Sequence, residues 1–354
     1  MRFRALDADG PSGLAAWKAL WQALPGREVM AHPEYALLFK RPCDRAVAAV
    51  GEEPGGTILF PLVLRPLAAE PWAAPGERRW DAVTPYGYGG PFAWGPGRRD
   101  EGAFWEAYGV WCRDERIVST FARLSLFPAQ LASIPGGVEE RGLNVVRALW
   151  GDPDAVWRDY GHAARTNVRA AQRAGLAVEE DGGAARLGDF IEVYTHTMNR
   201  RGAGRWYRFS PEFFERLARR LAGHFVLFHT LRGRRVVSSE LVLCSDETMH
   251  VLLSGTFADA YPLRPNDLLR HAAVQWGIAH GKKAYVLGGG YAPGDGVFRH
   301  KRNLAPRGIV PFRVAMLTHD ACACGELVSR RAAFAAGQAE PWQPQAGFFP
   351  SYRG

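Results

Sequence analysis

The sequence predicts a mixed α/β (α+β) protein built as two lobes, each a mainly antiparallel sheet flanked by helices. Three observations carry that prediction. The chain has 354 residues, more than one compact core usually serves. Its apolar periodicity switches between helical and alternating patterns, and the order helix, antiparallel strands, helix, strand starts again after about residue 150. Between the two series lies Gly151-Asp152-Pro153, a cluster of turn formers. Lobes are therefore expected at 1–150 and 151–315, with residues 316–354 forming a C-terminal segment that packs back on them.

In the first series Ser12 precedes Leu14, Trp17, Trp21 and Leu24 on one helical face, and Pro25-Gly26 stops the helix. Short β-rich runs follow at Arg45 to Val50, Thr57 to Leu64 and Arg79 to Val83. Residues 101–113 read as helix, and Ser119 to Leu126 and Leu143 to Leu149 as strands. In the second series the pattern predicts one helix over 153–175, a strand at Leu176 to Glu179, and helices near 187–200 and 211–222. A meander comes next: Phe225 to Leu231, Arg235 to Leu243 and Thr248 to Leu253, with turns at Arg232-Gly233-Arg234 and Ser245-Asp246-Glu247. Pro265 opens a helix running to His280, Gly281 ends it, and Ala284 to Leu287 is a strand. The tail beyond Gly337 is rich in Pro, Gln and aromatics and is expected to wrap a surface.

Composition narrows the class. At 47% hydrophobic residues the chain holds ample apolar surface to offset chain entropy. No stretch approaches the roughly 18 apolar residues of a membrane span, and the start Met1-Arg2-Phe3-Arg4 lacks the apolar run of a signal peptide. A cytoplasmic protein without stable membrane insertion is expected. The five cysteines, Cys43, Cys112, Cys244, Cys322 and Cys324, are odd in number and scattered, so they read as reduced and mostly buried thiols. The net charge of +8 comes mainly from arginine, whose planar fork suits phosphate and carboxylate.

Three regions concentrate chemistry. Thr84-Pro85-Tyr86-Gly87-Tyr88-Gly89-Gly90-Pro91 sets glycines that let backbone approach a ligand beside tyrosines with flat apolar faces, a composition that suits a substrate wall or a tight structural turn. On the helix after Tyr160, Arg165, Arg169 and Arg173 recur every four residues, with Asn167 beside them and no acidic residue between Gly161 and Gly175. Such like charges repel unless the face is solvated or an anion lies along it. A second basic block between Arg200 and Arg235 holds ten arginines with Trp206 and Tyr207 interleaved, which favours a phosphate track. The third region runs from Leu287-Gly288-Gly289-Gly290-Tyr291 to Gly296-Val297-Phe298-Arg299-His300-Lys301-Arg302, a glycine-rich strand end leading to a cation cluster that could sit beside a developing oxyanion. The sequence contains no Gly-x-Ser-x-Gly elbow, no His-Glu-x-x-His and no Walker loop. His319, Cys322 and Cys324 lack a second ligand pair for a metal.

Taken in order and spacing over roughly residues 80–315, these regions, together with Leu263-Arg264-Pro265-Asn266-Asp267-Leu268-Leu269, resemble the FemAB-like aminoacyltransferases. That resemblance implies two lobes of the N-acetyltransferase (GNAT) type, with the donor site on the second. It implies an aminoacyl-tRNA donor and an amine-bearing acceptor such as a peptidoglycan precursor or peptide, and no metal, redox or other cofactor. Lys301, in the Phe-x-x-Lys position, would stabilise charge as the ester carbonyl is attacked. Tyr86, Gly87, Tyr88, Gly89, Gly90, Tyr291 and Phe298 would contact substrate; Arg165, Asn167, Arg169, Arg173, Arg264 and Asn266 would hold the donor phosphates. The loop Thr256 to Arg264 lacks the Gln/Arg-x-x-Gly-x-Gly/Ala cradle with which acetyl-CoA enzymes of that fold hold pyrophosphate. A CoA- or carrier-dependent N-acyltransferase and a non-catalytic RNA-binding protein remain the alternatives.

Overall fold

The computed structural model describes residues 1–97, 99–204, 207–292, 294–338 and 342–354. Two compact units form, one from Met1–Arg141 with Phe312–Gly354 and the other from Gly142–Pro311. The boundary lies about ten residues before the expected junction at Gly151-Asp152-Pro153. The reason is local: that turn follows a long strand, Val138–Ala148, most of which already belongs to the second unit.

In the first unit the strands are β1 (Arg2–Asp7), β2 (Arg45–Glu53), β3 (Gly56–Pro66), β4 (Trp80–Val83), β5 (Phe92–Trp94) and β6 (Ile117–Arg123), joined by α1 (Pro11–Ala23), α2 (Pro33–Phe39) and α3 (Glu101–Asp114). Its sheet runs β1-β2-β3-β4-β6 and then the strand Ile309–Thr318, here β13, with β5 on β3. Only β4 and β6 pair in parallel among the described ladders of this unit. The predicted opening helix is α1, and Trp17 and Trp21 are the residues it buries. Strand β1 and helix α2 escaped the pattern reading because they are short, six and seven residues, too short for a period to stand out. The unit closes with a helix, Ala321–Gly337, called α10 below, whose N-cap Asp320 accepts from the amide of Ala323.

The second unit holds β7 (Val138–Ala148), α4 (Pro153–Asp159), α5 (His162–Arg173), β8 (Leu176–Asp181), α6 (Leu187–Arg200), α7 (Pro211–Arg220), β9 (Phe225–Arg232), β10 (Arg235–Cys244), β11 (Thr248–Thr256), α8 (Pro265–Ala279), β12 (Ala284–Gly288) and α9 (Gly296–Leu304). The single helix expected over 153–175 is two helices. Tyr160 and Gly161 take extended backbone between them, and Gly161 N-caps α5. The sheet order is β7-β12-β11-β10-β9-β8, antiparallel except for β11 with β12. Helix α8 packs on β9 and β10, and its Leu269, Ala273 and Val274 join Tyr285, Leu287 and Phe298 in the main core of the unit. The expected α/β class with antiparallel sheets and flanking helices is the observed one.

The cysteines are free thiols, but only Cys112 and Cys244 are buried; Cys43 and Cys322 are exposed, because each lies at the solvent side of a turn or first helical turn. No group of side chains that could hold a metal ion occurs among the described residues. Among them, too, no helix is long and apolar enough to cross a membrane.

Candidate active site

The site in the second unit starts from an interrupted ladder. Strands β11 and β12 pair at Thr248↔Ala284, Met249↔Tyr285 and His250↔Val286, and at no later position among the described residues. Beyond that point β11 continues to Thr256 on β10, and β12 ends at Gly288 on β7. Leu252 has no opposite number on β10, because Leu241 faces Leu253 while Val242 faces Val251. Such a bulge bends its strand and leaves one residue outside the ladder. Strand β12 also shifts register between Val286 and Gly288. The two parallel strands thus part where the glycine-rich segment begins.

Lys301 stands at this point. Its ammonium donates to the carbonyl of Gly289 at 2.7 Å, one residue past the end of β12. The loop between is folded by Asp295, whose Oδ2 accepts from the amide of Tyr291 at 2.8 Å and whose Oδ1 caps α9 through the amide of Phe298 at 2.7 Å. The sequence shows a glycine-rich strand end leading to a cation cluster; the Asp-capped helix that presents the cluster is a feature of the structure. Burial pulls the Lys301 amine down from its ordinary value to about 8, helped by Arg270 and opposed by Glu240 and Asp295. A lysine so placed is charged at neutral pH and close to releasing its proton.

Behind Lys301 lies a buried polar network. Arg270 Nε donates to Glu240 Oε2 at 3.2 Å, and Arg270 Nη1 donates to His300 Nδ1 at 2.7 Å. His300 Nε2 faces Asp267 Oδ2 at 3.2 Å, and the Tyr285 hydroxyl donates to Glu240 Oε1. Since arginine only donates, His300 accepts at Nδ1 and holds its proton on Nε2 toward Asp267. Glu240, Asp267 and Arg270 are all buried. The network sets the Glu240 carboxylate against the Arg270 guanidinium, the pairing that charges kept out of water require. Sequence reasoning missed Glu240, Asp267, Arg270 and Tyr285; a glutamate inside the apolar strand Val236 to Cys244, and an acid and a base three apart on α8, were the available signals.

The chain is similar to several solved structures. FemX has a TM-score of 0.62 at 11% identity, with 87% of this chain and 94% of that chain covered. The chain has a FemX-like fold. The C-terminal domain assigned to a lysylphosphatidylglycerol synthetase of Agrobacterium fabrum superposes with a TM-score of 0.53 at 14% identity, covering 92% of this chain and 96% of that one. A conserved protein of unknown function from Bacteroides thetaiotaomicron gives 0.54 at 9% identity, covering 86% and 97%. The family model described as Acetyltransferase (GNAT) domain matches residues 162–302, the stretch that holds α5, α8, the interrupted ladder and Lys301. No curated protein matches the sequence.

The GNAT-like second unit distributes the other expected site residues unevenly. Phe298 is buried in its core and holds α9 down. Tyr291 is 63% exposed, edge-on to Tyr207 at 6.2 Å, with the Arg201 guanidinium 5.8 Å from its ring centre. Asn266 turns its side-chain oxygen to the hydroxyls of Ser238 and Thr256, at 2.8 and 2.7 Å, while Arg264 is exposed and takes the left-handed conformation, φ 61°. On α5, Arg165 donates to the carbonyls of Arg158 and Tyr160 and so closes the C-terminus of α4. Arg169 lies over the Trp157 ring at 5.6 Å and Arg173 is exposed; Asn167 is half-buried beside them. In the second basic block Arg235 binds Asp259 at 2.7 Å and Arg200 binds the Tyr261 hydroxyl at 2.5 Å. Arg205 and Trp206 lie outside the described residues.

The Tyr/Gly run belongs to the first unit. Tyr86 stacks on Phe39 at 5.4 Å, and its carbonyl accepts from the Tyr35 hydroxyl at 2.6 Å. Tyr88 meets Phe312 edge-on at 5.8 Å. Gly87 and Gly90 have φ of 95° and 114°, which makes glycine the fitting residue there. Gly89 forms a bridge to Leu124. One further arrangement looks catalytic and is not. Ser239 Oγ lies 3.0 Å from His229 Nδ1, and His229 Nε2 lies 3.8 Å from Asp181 Oδ2. All three are buried, and Asp181 is already taken by the amides of Gly183, Ala185 and Arg186. No substrate reaches that serine, so the trio is core wiring.

Proposed function

We propose that the protein is an N-acyltransferase that moves an aminoacyl group from aminoacyl-tRNA to an amine, in a peptidoglycan precursor, a peptide or a small metabolite. The observation that carries the reading is Lys301, a half-buried cation held at the open end of the β11/β12 pair. When a neutral amine attacks the ester carbonyl, the C–N bond forms and the carbonyl oxygen becomes an oxyanion. Lys301 uses one of its three N–H donors on Gly289, which leaves two for that oxygen. Collapse of the intermediate breaks the ester C–O bond, and the ribose oxygen leaves with the proton that the amine gives up, passed within the substrate. An aminoacyl ester is already activated, so positioning and charge stabilisation supply most of the acceleration. Exposed Arg169 and Arg173 on α5 would lie along the donor backbone, whereas Arg165 serves the α4 terminus.

The resemblance to FemAB-like aminoacyltransferases supports this donor, as do the likenesses to FemX and to a domain assigned to a lysylphosphatidylglycerol synthetase. A second reading, an acyl-CoA donor, is favoured by the acetyltransferase family model over 162–302. The first turn of α8 speaks against it. Pro265 at the first helical position has no N–H, and the buried carboxylate of Asp267 in the same turn opposes a pyrophosphate there. Incubation with charged total tRNA and candidate amines, read by mass spectrometry, tests the proposal. Aminoacylated product supports it; turnover of acyl-CoA without turnover of aminoacyl-tRNA refutes it.

A further inference from the structure

The first unit contains a cavity of about 600 Å³ lined by, among others, Pro75, Arg78, Arg113, Arg116, Ile117 and His319. Three carboxylates also border it, and each is engaged. Glu77 accepts from Arg79 at 2.6 Å, Glu326 accepts from Arg79 and Arg330 at 2.9 and 2.7 Å, and Asp320 caps α10. The guanidinium groups of Arg78, Arg113 and Arg116, by contrast, meet no carboxylate among the described residues. The wall is thus fixed by one set of ion pairs while three cations face the cavity without a counter-charge.

Two features make this more than a basic patch. Arg116 sits in the turn between α3 and β6 with φ 59°, a conformation that side-chain-bearing residues rarely adopt and that glycine would adopt freely. Arg116 directly follows the C-cap of α3, so the turn that ends the helix also sets this residue on the cavity wall. His319, on the cavity wall, is anchored from behind by a hydrogen-bond chain that runs into the core. The Tyr108 hydroxyl lies 2.7 Å from Thr120 Oγ1, which lies 2.9 Å from His319 Nε2. Burial, with Arg113 adding to it, brings His319 down to about 4, so near neutral pH its ring is uncharged and contributes a hydrogen bond. The volume falls in the range of small-molecule sites and far exceeds a bare phosphate, and Pro75 and Ile117 supply apolar wall.

We propose that this cavity binds a phosphate monoester with a compact apolar body, the phosphoryl oxygens taken by Arg113 and Arg116 and the body set against Pro75 and Ile117. Phosphate and carboxylate share the oxyanion chemistry that guanidinium recognises, so the test uses both. Phenyl phosphate, inorganic phosphate and benzoate are titrated into the full chain by calorimetry, for the wild type and for Arg113→Gln combined with Arg116→Gly. The glycine keeps the left-handed turn, so the variant should fold; its unliganded melting temperature checks this. Phenyl phosphate should bind saturably, at least about tenfold tighter than the other two, and the variant should lose about tenfold or more, as expected when charge-assisted hydrogen bonds are removed. Absence of saturable binding at millimolar phenyl phosphate overturns the proposal, as does benzoate binding equally well. Binding that survives in the variant but is lost in Arg169→Ala/Arg173→Ala also overturns it, because the phosphate would then sit on α5.

Discussion

Replacing Lys301 by methionine tests the proposed chemistry through two opposite effects. Methionine keeps an unbranched stem of similar length and removes the ammonium that donates to Gly289. Loss of one preorganised group that stabilises an oxyanion costs about 3 kcal/mol of barrier, so single-turnover rates at saturating donor should fall roughly a hundredfold with donor affinity near that of the wild type. Stability should move the other way. The amine is lowered in the fold from 10.5 to about 8, so the charged lysine destabilises the native state, fully below pH 8, and this penalty fades as pH rises toward the unfolded value. That difference corresponds to roughly 3 kcal/mol at most. Lys301→Met should therefore melt several degrees higher near neutral pH, with the advantage shrinking above pH 8. Relative to Lys301→Arg, which cancels the rising fraction of neutral acceptor amine, the wild-type chemical rate should drop as pH rises through about 8, where the ammonium is lost. A methionine variant that reacts at the wild-type rate, or a ratio of wild-type to Lys301→Arg rates that ignores pH across this range, refutes the role.

Other outcomes follow from the same geometry. Arg169→Ala with Arg173→Ala should weaken RNA binding and flatten its log–log salt dependence by about 0.7 per lost phosphate contact on single-stranded RNA; an unchanged slope means that the α5 face is only solvated. Arg270→Leu should lower stability by about 3–5 kcal/mol, because Glu240 would remain buried without its cation. Adding Glu240→Leu should recover part of that loss in denaturant melts, and a fully additive double variant would show that the two do not act as a pair. At Gly255 a Cβ would lie 2.7 Å from the Val193 carbonyl oxygen and 2.9 Å from Tyr194 Cα. Gly255→Ala should therefore cost about 1–3 kcal/mol; an unchanged unfolding midpoint would show that α6 can withdraw from β11.

Much of the fold was legible because its signals are local. The meander from Phe225 onward shows turn formers between apolar runs, and β9, β10 and β11 appear there within a few residues of the expected limits. Helix α8 was bounded by Pro265 and Gly281, and Trp17 with Trp21 marked the buried face of α1. The break at Gly161 was not legible, since residues 153–175 are helical in propensity on both sides and the interruption is held by a tertiary bond, Gly161 N–H to the Asn303 carbonyl at 2.7 Å. The arginine spacing on α5 was also visible, yet the fate of Arg165 was not, because only the position of the α4 terminus decides which guanidinium it captures.

For the site, sequence by itself determined the glycine-rich strand end, the Phe298 to Lys301 spacing and the absence of a CoA-type cradle, all of which are short-range patterns of residue type. The tertiary structure alone decided that Lys301 would meet Gly289, that Asp295 would fold the loop between them, and that Glu240, Asp267, Arg270 and His300 would gather behind it from two helices and a strand. The physical reason is that proton affinity and ion pairing depend on burial and on distances of a few ångströms across elements 30 or more residues apart. Neither quantity is carried by spacing along the chain.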